Sequence, residues 1–419
     1  MADYREMWKN LDMDLEKHDQ LCAALPEMFG SVYLTQKNRP EGMNYFNFVF
    51  SEVHGLRIKE LEDHKKQGGK VLGTFCVFVP DEVILAANAL SVGLCAGSQF
   101  WIEDGEKHVP RNLCPLIKAF VGAKVSGTCP YFQSCDMVVG ETTCDGKKKA
   151  WEILNDYVPV HVMDLPQMKR TKDYNMWMDE IKLFIDEVEK LTGNKITVEN
   201  LKDAIEVCNQ KRRALKRLYD LRKVTPSPIT GLDSLLISQI AFNDDPVRFT
   251  TQVNELCDEL EERVKTQKPE GKKRIMITGT PMAIPNWKLH SIIESLPAEV
   301  VVEETCTGTR YFENEVKAEG ETIEELIKNL ADRYLNINCA CFTPNEGRIE
   351  DILRYVKEYN IDGVIYSNLS FCHTYSVEAN RVEKALKEAG IPMISIETDY
   401  STEDSGQIKT RVEAFLEMI

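Results

Sequence analysis

No C-x-x-C pair occurs anywhere in the 419 residues. That absence removes the thioredoxin-type redox motif and the paired knuckles of a structural zinc module. The compact C-x-x-C-x-x-C run of bacterial ferredoxins is absent with it. Neither a G-x-x-x-x-G-K-S/T phosphate loop nor a G-x-G-x-x-G turn is present, so no nucleotide site is recognisable and any energy input must come from a partner. Basic charge is short: 51 Lys and Arg against 67 Asp and Glu leave a net charge of −16. A surface of that sign does not displace counterions from nucleic acid, nor hold to an anionic membrane. The stretch Val83 to Ile102 is uncharged, but Asn88, Ser91, Gly93, Gly97, Ser98 and Gln99 interrupt it. Hydrocarbon penalises such residues, so it reads as a buried helix followed by a buried strand. The first twenty residues alternate charge with apolar residues, unlike a signal peptide. A soluble, cytoplasmic, reducing setting is expected.

What is present in excess is cysteine. Thirteen thiols, an odd number, are spread along a chain two to three times the usual domain size. That is no secreted disulfide scaffold. Short β-branched runs alternate with amphipathic helical stretches: KVLGTFCVFV (70–79), SVGLCAG (91–97), CDMVVGE (135–141) and VPVHVMDLP (158–166), then RIMITGT (274–280), EVVVEET (299–305), DGVIYSN (362–368) and IPMISIETD (391–399). Alternation of this kind predicts parallel sheets covered by helices. Between the two sets lie long charged amphipathic runs without strand signal, broken once at Pro226, Pro228 and Gly231, and closed by the polar linker QKPEGKKR. The predicted fold class is α/β: two parallel-sheet α/β domains with a helical middle segment. Their expected bounds are 1–166 with leading helices, 167–270 for the helical middle, and 271–419.

Ligands of open parallel sheets bind at the carboxyl ends of the strands. Cys76 falls late in the first strand run, Cys114 and Cys144 open helices, and Cys129 precedes Pro130 in a loop. In the second half Cys306 and Cys372 follow strands, and Cys339 and Cys341 form a C-x-C after a helix. Helix N-termini favour thiolate and an anionic cluster. Cys76, Cys114, Cys129, Cys144 and Cys372 are therefore expected to be ligands. Cys306, Cys339 and Cys341 stand open between ligation and packing. Cys22, Cys208 and Cys257 have apolar helical neighbours and are assigned to the core, as are Cys95 and Cys135.

At this point a resemblance enters. GTFCVFVPDEVILAA, RNLCPLIKAFVG, CPYFQSCDMVVGETTCDGKKKAWEIL, ETCTGTRYF, NCACFTPNEGR and DGVIYSNLSFCHTYSVEANRVEKAL resemble the 2-hydroxyacyl-CoA dehydratase family, most of all its double-cubane cluster branch. The likeness implies two α/β domains with an iron–sulfur cluster in the crevice between them. In the dehydratases three cysteines hold one 4Fe–4S cubane, and Cys76, Cys114 and Cys372 match those positions. The double-cubane branch holds a second cubane joined by a bridging sulfide. Cys129 and Cys144 match its additional cysteines, with Cys339, Cys341 or Cys306 completing the set; Cys339 is taken here. The resemblance further implies a separate iron–sulfur ATPase activator that delivers low-potential electrons, a small-molecule substrate and a homodimer, with the helical middle as the expected interface. His373 is the expected proton donor, with Glu141 or Glu378 as alternatives. Lys118, Lys147, Lys148 and Arg310 lie near the cluster loops, as charge-offsetting or docking cations.

Four functions compete on this reading. The first is an ATP-dependent low-potential reductase with a double cubane, which the surplus thiols favour. The others are a 2-hydroxyacyl-CoA dehydratase subunit using radical dehydration on a single cubane, a non-catalytic electron carrier, and a zinc-bearing structural protein.

Overall fold

The computed structural model describes residues 4–268 and 271–419; the expected boundary at residue 270 lies outside the described residues. Among these residues eight strands form: β1 (Val71–Thr74), β2 (Leu90–Gly93), β3 (Met137–Glu141), β4 (Val160–Met163), β5 (Lys273–Gly279), β6 (Ala298–Glu304), β7 (Gly363–Leu369) and β8 (Met393–Thr398). They make two four-stranded sheets, ordered β2-β1-β3-β4 and β6-β5-β7-β8. Every pairing is parallel. The α/β prediction holds, and each β-branched run supplied one strand. β3 and β6 are buried along their whole length, as strands covered on both faces must be.

The strands are shorter than the apolar runs that announced them. β1 stops at Thr74, so Cys76 stands in the turn beyond the strand rather than within it. Likewise β2 stops at Gly93 and leaves Cys95 in the following loop, while Cys135 precedes β3. Apolar character continues past the ends of both strands because these turns are themselves buried: Phe75, Val77, Phe78 and Leu94 all belong to the core.

Helices make up the leading segment, including Leu15–Phe29, Met43–Ser51 and Leu56–Lys66. The middle contributes Thr171–Thr192, Val198–Leu221, Gly231–Ile240 and Pro246–Val264. No separate core belongs to this middle. Its Leu215, Leu236 and Leu256 lie in the same hydrophobic cluster as Ile277 of β5 and Phe78 beside β1. Buried polar ties fix it further. Arg222 donates to Glu303 of β6 at 2.8 and 3.0 Å, and Glu294 accepts from the amides of Gly231 and Leu232 at 2.6 and 3.1 Å.

Both sheets reverse strand order between their first and third strands, β1/β3 and β5/β7. Such a switch point opens a crevice at the carboxyl ends of the strands, and here the two crevices face each other. The loops meet closely: the Gly97 amide donates to the Ile284 carbonyl at 2.9 Å. A Cβ on Gly97 would lie 2.1 Å from the Ala283 oxygen, so only glycine permits this approach. A buried knot also joins the halves. Glu82, in the helix after β1, pairs with Arg212 of the middle at 2.6 Å and accepts from Tyr334 of the second unit at 2.7 Å.

Candidate metal centre

Between the sheets lies a cavity of about 410 Å³. Eight of the thirteen thiols line it: Cys76, Cys95, Cys114 and Cys144 from the first sheet, Cys306, Cys339, Cys341 and Cys372 from the second. The positions follow from local structure. Cys114 caps the helix Pro115–Val125, Cys144 caps Asp145–Leu154, and Cys372 caps His373–Glu388. At each of these caps first-turn amides lie near the sulfur, those of Leu116 and Ile117 at Cys114, of Lys147 at Cys144 and of Tyr375 at Cys372. Cys306 follows β6, and Cys339 and Cys341 share the turn after the helix Ile323–Leu335. Phe371, with φ 62°, takes a left-handed conformation that is costly for an aromatic residue and immediately precedes Cys372. Cys95 is engaged by the backbone, donating to the Phe75 carbonyl at 2.9 Å.

The remaining thiols, Cys144 aside, meet in pairs. Cys76 contacts Cys306 and Cys114 contacts Cys372, each across the crevice, while Cys339 contacts Cys341 within its own turn. In each pair one sulfur is held toward thiolate. Cys114 falls below the usual thiol range because Cys372 donates to it, and the amides of Leu116 and Ile117 help offset its burial. Cys306 falls because Cys76 donates to it and the Arg310 charge lies near. Cys339 falls well below, through Cys341 first, then Arg310 and the Tyr375 hydroxyl against burial. Burial pushes Cys144 up, opposed by the Lys147 amide and ammonium.

Buried cations stand behind this anionic set. Arg310 Nη1 is 3.6 Å from Cys306 Sγ, and its Nε donates to Glu304 at 2.6 Å. Tyr375 bonds to Arg310 and lies 3.5 Å from Cys339 Sγ. Arg348 completes the network with Glu304 at 3.2 Å and with Glu378. On the other side Lys147 pairs with Glu141. Burial works against the ammonium, yet Glu141, Cys76 and Cys95 hold its pKa above the usual range.

The expected site residues divide accordingly. Cys76, Cys114, Cys144, Cys339, Cys372 and His373 line the cavity, with His373 exposed at its rim. Cys129 is not among the lining residues. It caps the short helix Pro130–Ser134 and packs near Cys135 and Lys124 in the first-sheet core. Glu141 stands behind Lys147, its carboxyl raised by burial and its Oε2 without a hydrogen-bond partner among the described residues. Glu378 is tied to Arg348 and Asn345. Of the cations, Lys147 lines the cavity and Arg310 underlies Cys306, whereas Lys118 bonds Glu106 at 3.0 Å and Lys148 pairs with Asp145 at 2.6 Å. Sequence reasoning missed Tyr375, whose place three residues after Cys372 in a helix was a usable signal. It also missed Glu304 and Arg348, which carried none.

A thiol-lined, cation-backed cavity at facing switch points can be set beside known proteins. Residues 76–419 match the family described as 2-hydroxyglutaryl-CoA dehydratase, D-component. The chain is 41% identical over 379 residues to a protein of Escherichia coli (strain K12) described as "Putative dehydratase subunit YjiM", covering 88% of this chain and 97% of that one. It is 26% identical to the (R)-phenyllactyl-CoA dehydratase beta subunit of Clostridium sporogenes, over 90% of this chain and 98% of that one. A benzoyl-CoA reductase subunit of Thauera aromatica is 25% identical, over 81% and 87% respectively. With four-fifths of its length inside one family model and thiols of both sheets on a single cavity, the chain belongs to the 2-hydroxyglutaryl-CoA dehydratase D-component family.

Proposed function

We propose that the chain is an iron–sulfur reductase carrying two 4Fe–4S cubanes joined by a bridging sulfide, charged by a separate ATP-hydrolysing iron–sulfur activator, and acting on a small molecule. One observation carries this reading: with Cys95 engaged on the Phe75 carbonyl, seven further thiols from both sheets line one cavity, where a single cubane with one open iron needs three. The donor set fits the group, since buried thiolates backed by cations suit iron–sulfur clusters. Cys76, Cys114, Cys144, Cys306 and Cys372 would hold it with Cys339 or Cys341. Cys306 replaces Cys129, which lies away from the cavity.

When bound, the cluster supplies single electrons at low potential. The protein's own groups do the rest. Arg310 and Tyr375 donate toward the sulfurs of Cys306 and Cys339, Lys147 offsets charge beside Cys76, and Phe75, Val77, Ile117, Phe242 and Ile284 exclude water from the walls. His373, at the rim, exchanges protons with solvent and hands them inward. Glu141 acts through Lys147 rather than on a substrate.

Relatives named as beta subunits of dehydratases keep a second reading in view: one subunit of a multi-component dehydratase with a single cubane. Iron and sulfide per chain after strictly anaerobic purification separates the two. Content matching two cubanes supports the reductase, content matching one moves the assignment to the dehydratase, and iron-free protein overturns both.

A further inference from the structure

Far along the chain from the cavity ligands, His18, Cys22 and His54 bring one ligand atom each within 4.8 Å of one another. His18 and Cys22 are one turn apart on the helix Leu15–Phe29 and share a face. His54 comes from the turn between the helices Met43–Ser51 and Leu56–Lys66. His18 Nε2 lies 2.9 Å from His54 Nδ1 and 3.5 Å from Cys22 Sγ, and His54 Nδ1 lies 4.0 Å from the same sulfur. From this juxtaposition we propose a second metal site, a His₂Cys centre for zinc with water in the fourth position of the tetrahedron, that fastens the leading helices together.

The distances can be checked against the ion. Zn–N bonds of about 2.0–2.1 Å and Zn–S bonds of about 2.3 Å in a tetrahedron set neighbouring ligand atoms about 3.3–3.6 Å apart. The three observed separations bracket that range, so seating the ion asks for shifts of a few tenths of an ångström (about 0.4–0.5 Å at most). Two imidazoles and a thiolate suit a borderline ion and not calcium or magnesium, which demand oxygen. Cys22 releases its proton to solvent on binding, without redox change.

The surroundings fix the ligands. Trp8 packs edge-on to His18 with ring centroids 4.4 Å apart, and its Nε1 donates to the His54 carbonyl at 2.7 Å. One indole thus packs against the ring of His18 and anchors the backbone of His54. All three ligands precede residue 76, where the family match begins, so this site is a property of the leading helices and independent of the cavity thiols.

The test uses the full chain purified anaerobically with its iron in place, so that vacant cavity thiols do not capture zinc. The expected result is one zinc per chain beyond the iron, or stoichiometric uptake of added Zn²⁺. Cys22→Ala and His54→Gln should each lose it while keeping iron and sulfide unchanged. Co²⁺ in place of zinc should give a thiolate-to-metal band in the wild type that Cys22→Ala lacks. Iron-replete wild type that takes up neither Zn²⁺ nor Co²⁺ overturns the proposal, as do variants that bind as much zinc as the wild type. If neither variant folds, the Co²⁺ titration of the wild type decides: a thiolate band supports the site and its absence overturns it.

Discussion

The two sheets share a strand order and place thiols at matching points. Cys144 and Cys372 each cap the helix after the third strand of their sheet, and Cys95 and Cys306 each follow the second. What stands behind the thiols differs. In the first sheet helix N-termini aim amides at sulfur, and Lys147 with Glu141 forms the ion pair lining that side. In the second, Arg310, Arg348, Glu304 and Glu378 form a desolvated network under Cys306 and Cys339. Helix ends contribute about 0.3–1 kcal/mol each, rising to about 2 when partly buried. Buried ions interact more strongly but cost more to desolvate. One topology therefore surrounds its thiols differently in its two copies, with backbone amides and one ion pair in the first and a buried ionic network in the second.

The largest expected effect tests whether both sheets supply ligands. Cys144→Ala and Cys306→Ala should each lose iron equivalent to at least one cubane, together with activator-dependent electron uptake. Full iron in either variant would reduce the centre to a single sheet. Next in size is Arg222→Met, which leaves buried Glu303 of β6 with His290 as its remaining ion-pair partner and should cost about 3–5 kcal/mol in urea unfolding. Burial would raise the Glu303 carboxyl, but Arg222 and His290 overcome it and hold it down to about 2. A depressed folded pKa stabilises above the unfolded value, about 4.3, and that contribution is lost as pH falls toward 2. The gap between wild type and Arg222→Met should accordingly close over that window. Lys147→Met should cost less, about 1–3 kcal/mol, because Glu141 is already raised by burial and takes up a proton instead. If the two variants prove equally damaging, the contrast between the sheets fails.

A smaller pair of effects reads on the reduction potential. Lys147→Met removes a full charge beside Cys76, and Tyr375→Phe removes one hydroxyl near Cys339. Both should move the potential downward in an anaerobic redox titration, the lysine variant further. Smallest of all is Cys129→Ala, expected to keep full iron and to cost about 1 kcal/mol or less.

How far the residues themselves announced this is clearest at the cysteines. The α/β alternation was legible because β-branched runs and helical periodicity are local signals. Cys114 and Cys129 show where local signals end. Each precedes a proline and caps a helix, yet one faces the cavity and the other packs beside Cys135. The tertiary placement of the two helices, which no local pattern encodes, separates them. Cys306 was undecided in sequence and finds Cys76 only across the crevice. Cys22 was assigned to the core because its helical neighbours are apolar, and the nearby imidazole of His54 arrives from a remote turn.

The Glu82 knot has a bearing on rigidity. Its carboxylate is shared by a guanidinium from the middle helices and a phenol from the second unit, all three groups sealed from water. Parting the halves gives up these bonds, and a hydrogen bond to a charged group contributes about 1.5–3 kcal/mol. The walls of the cavity are thus pinned to one another at a point away from its opening, while Phe371 and His373 leave its rim exposed.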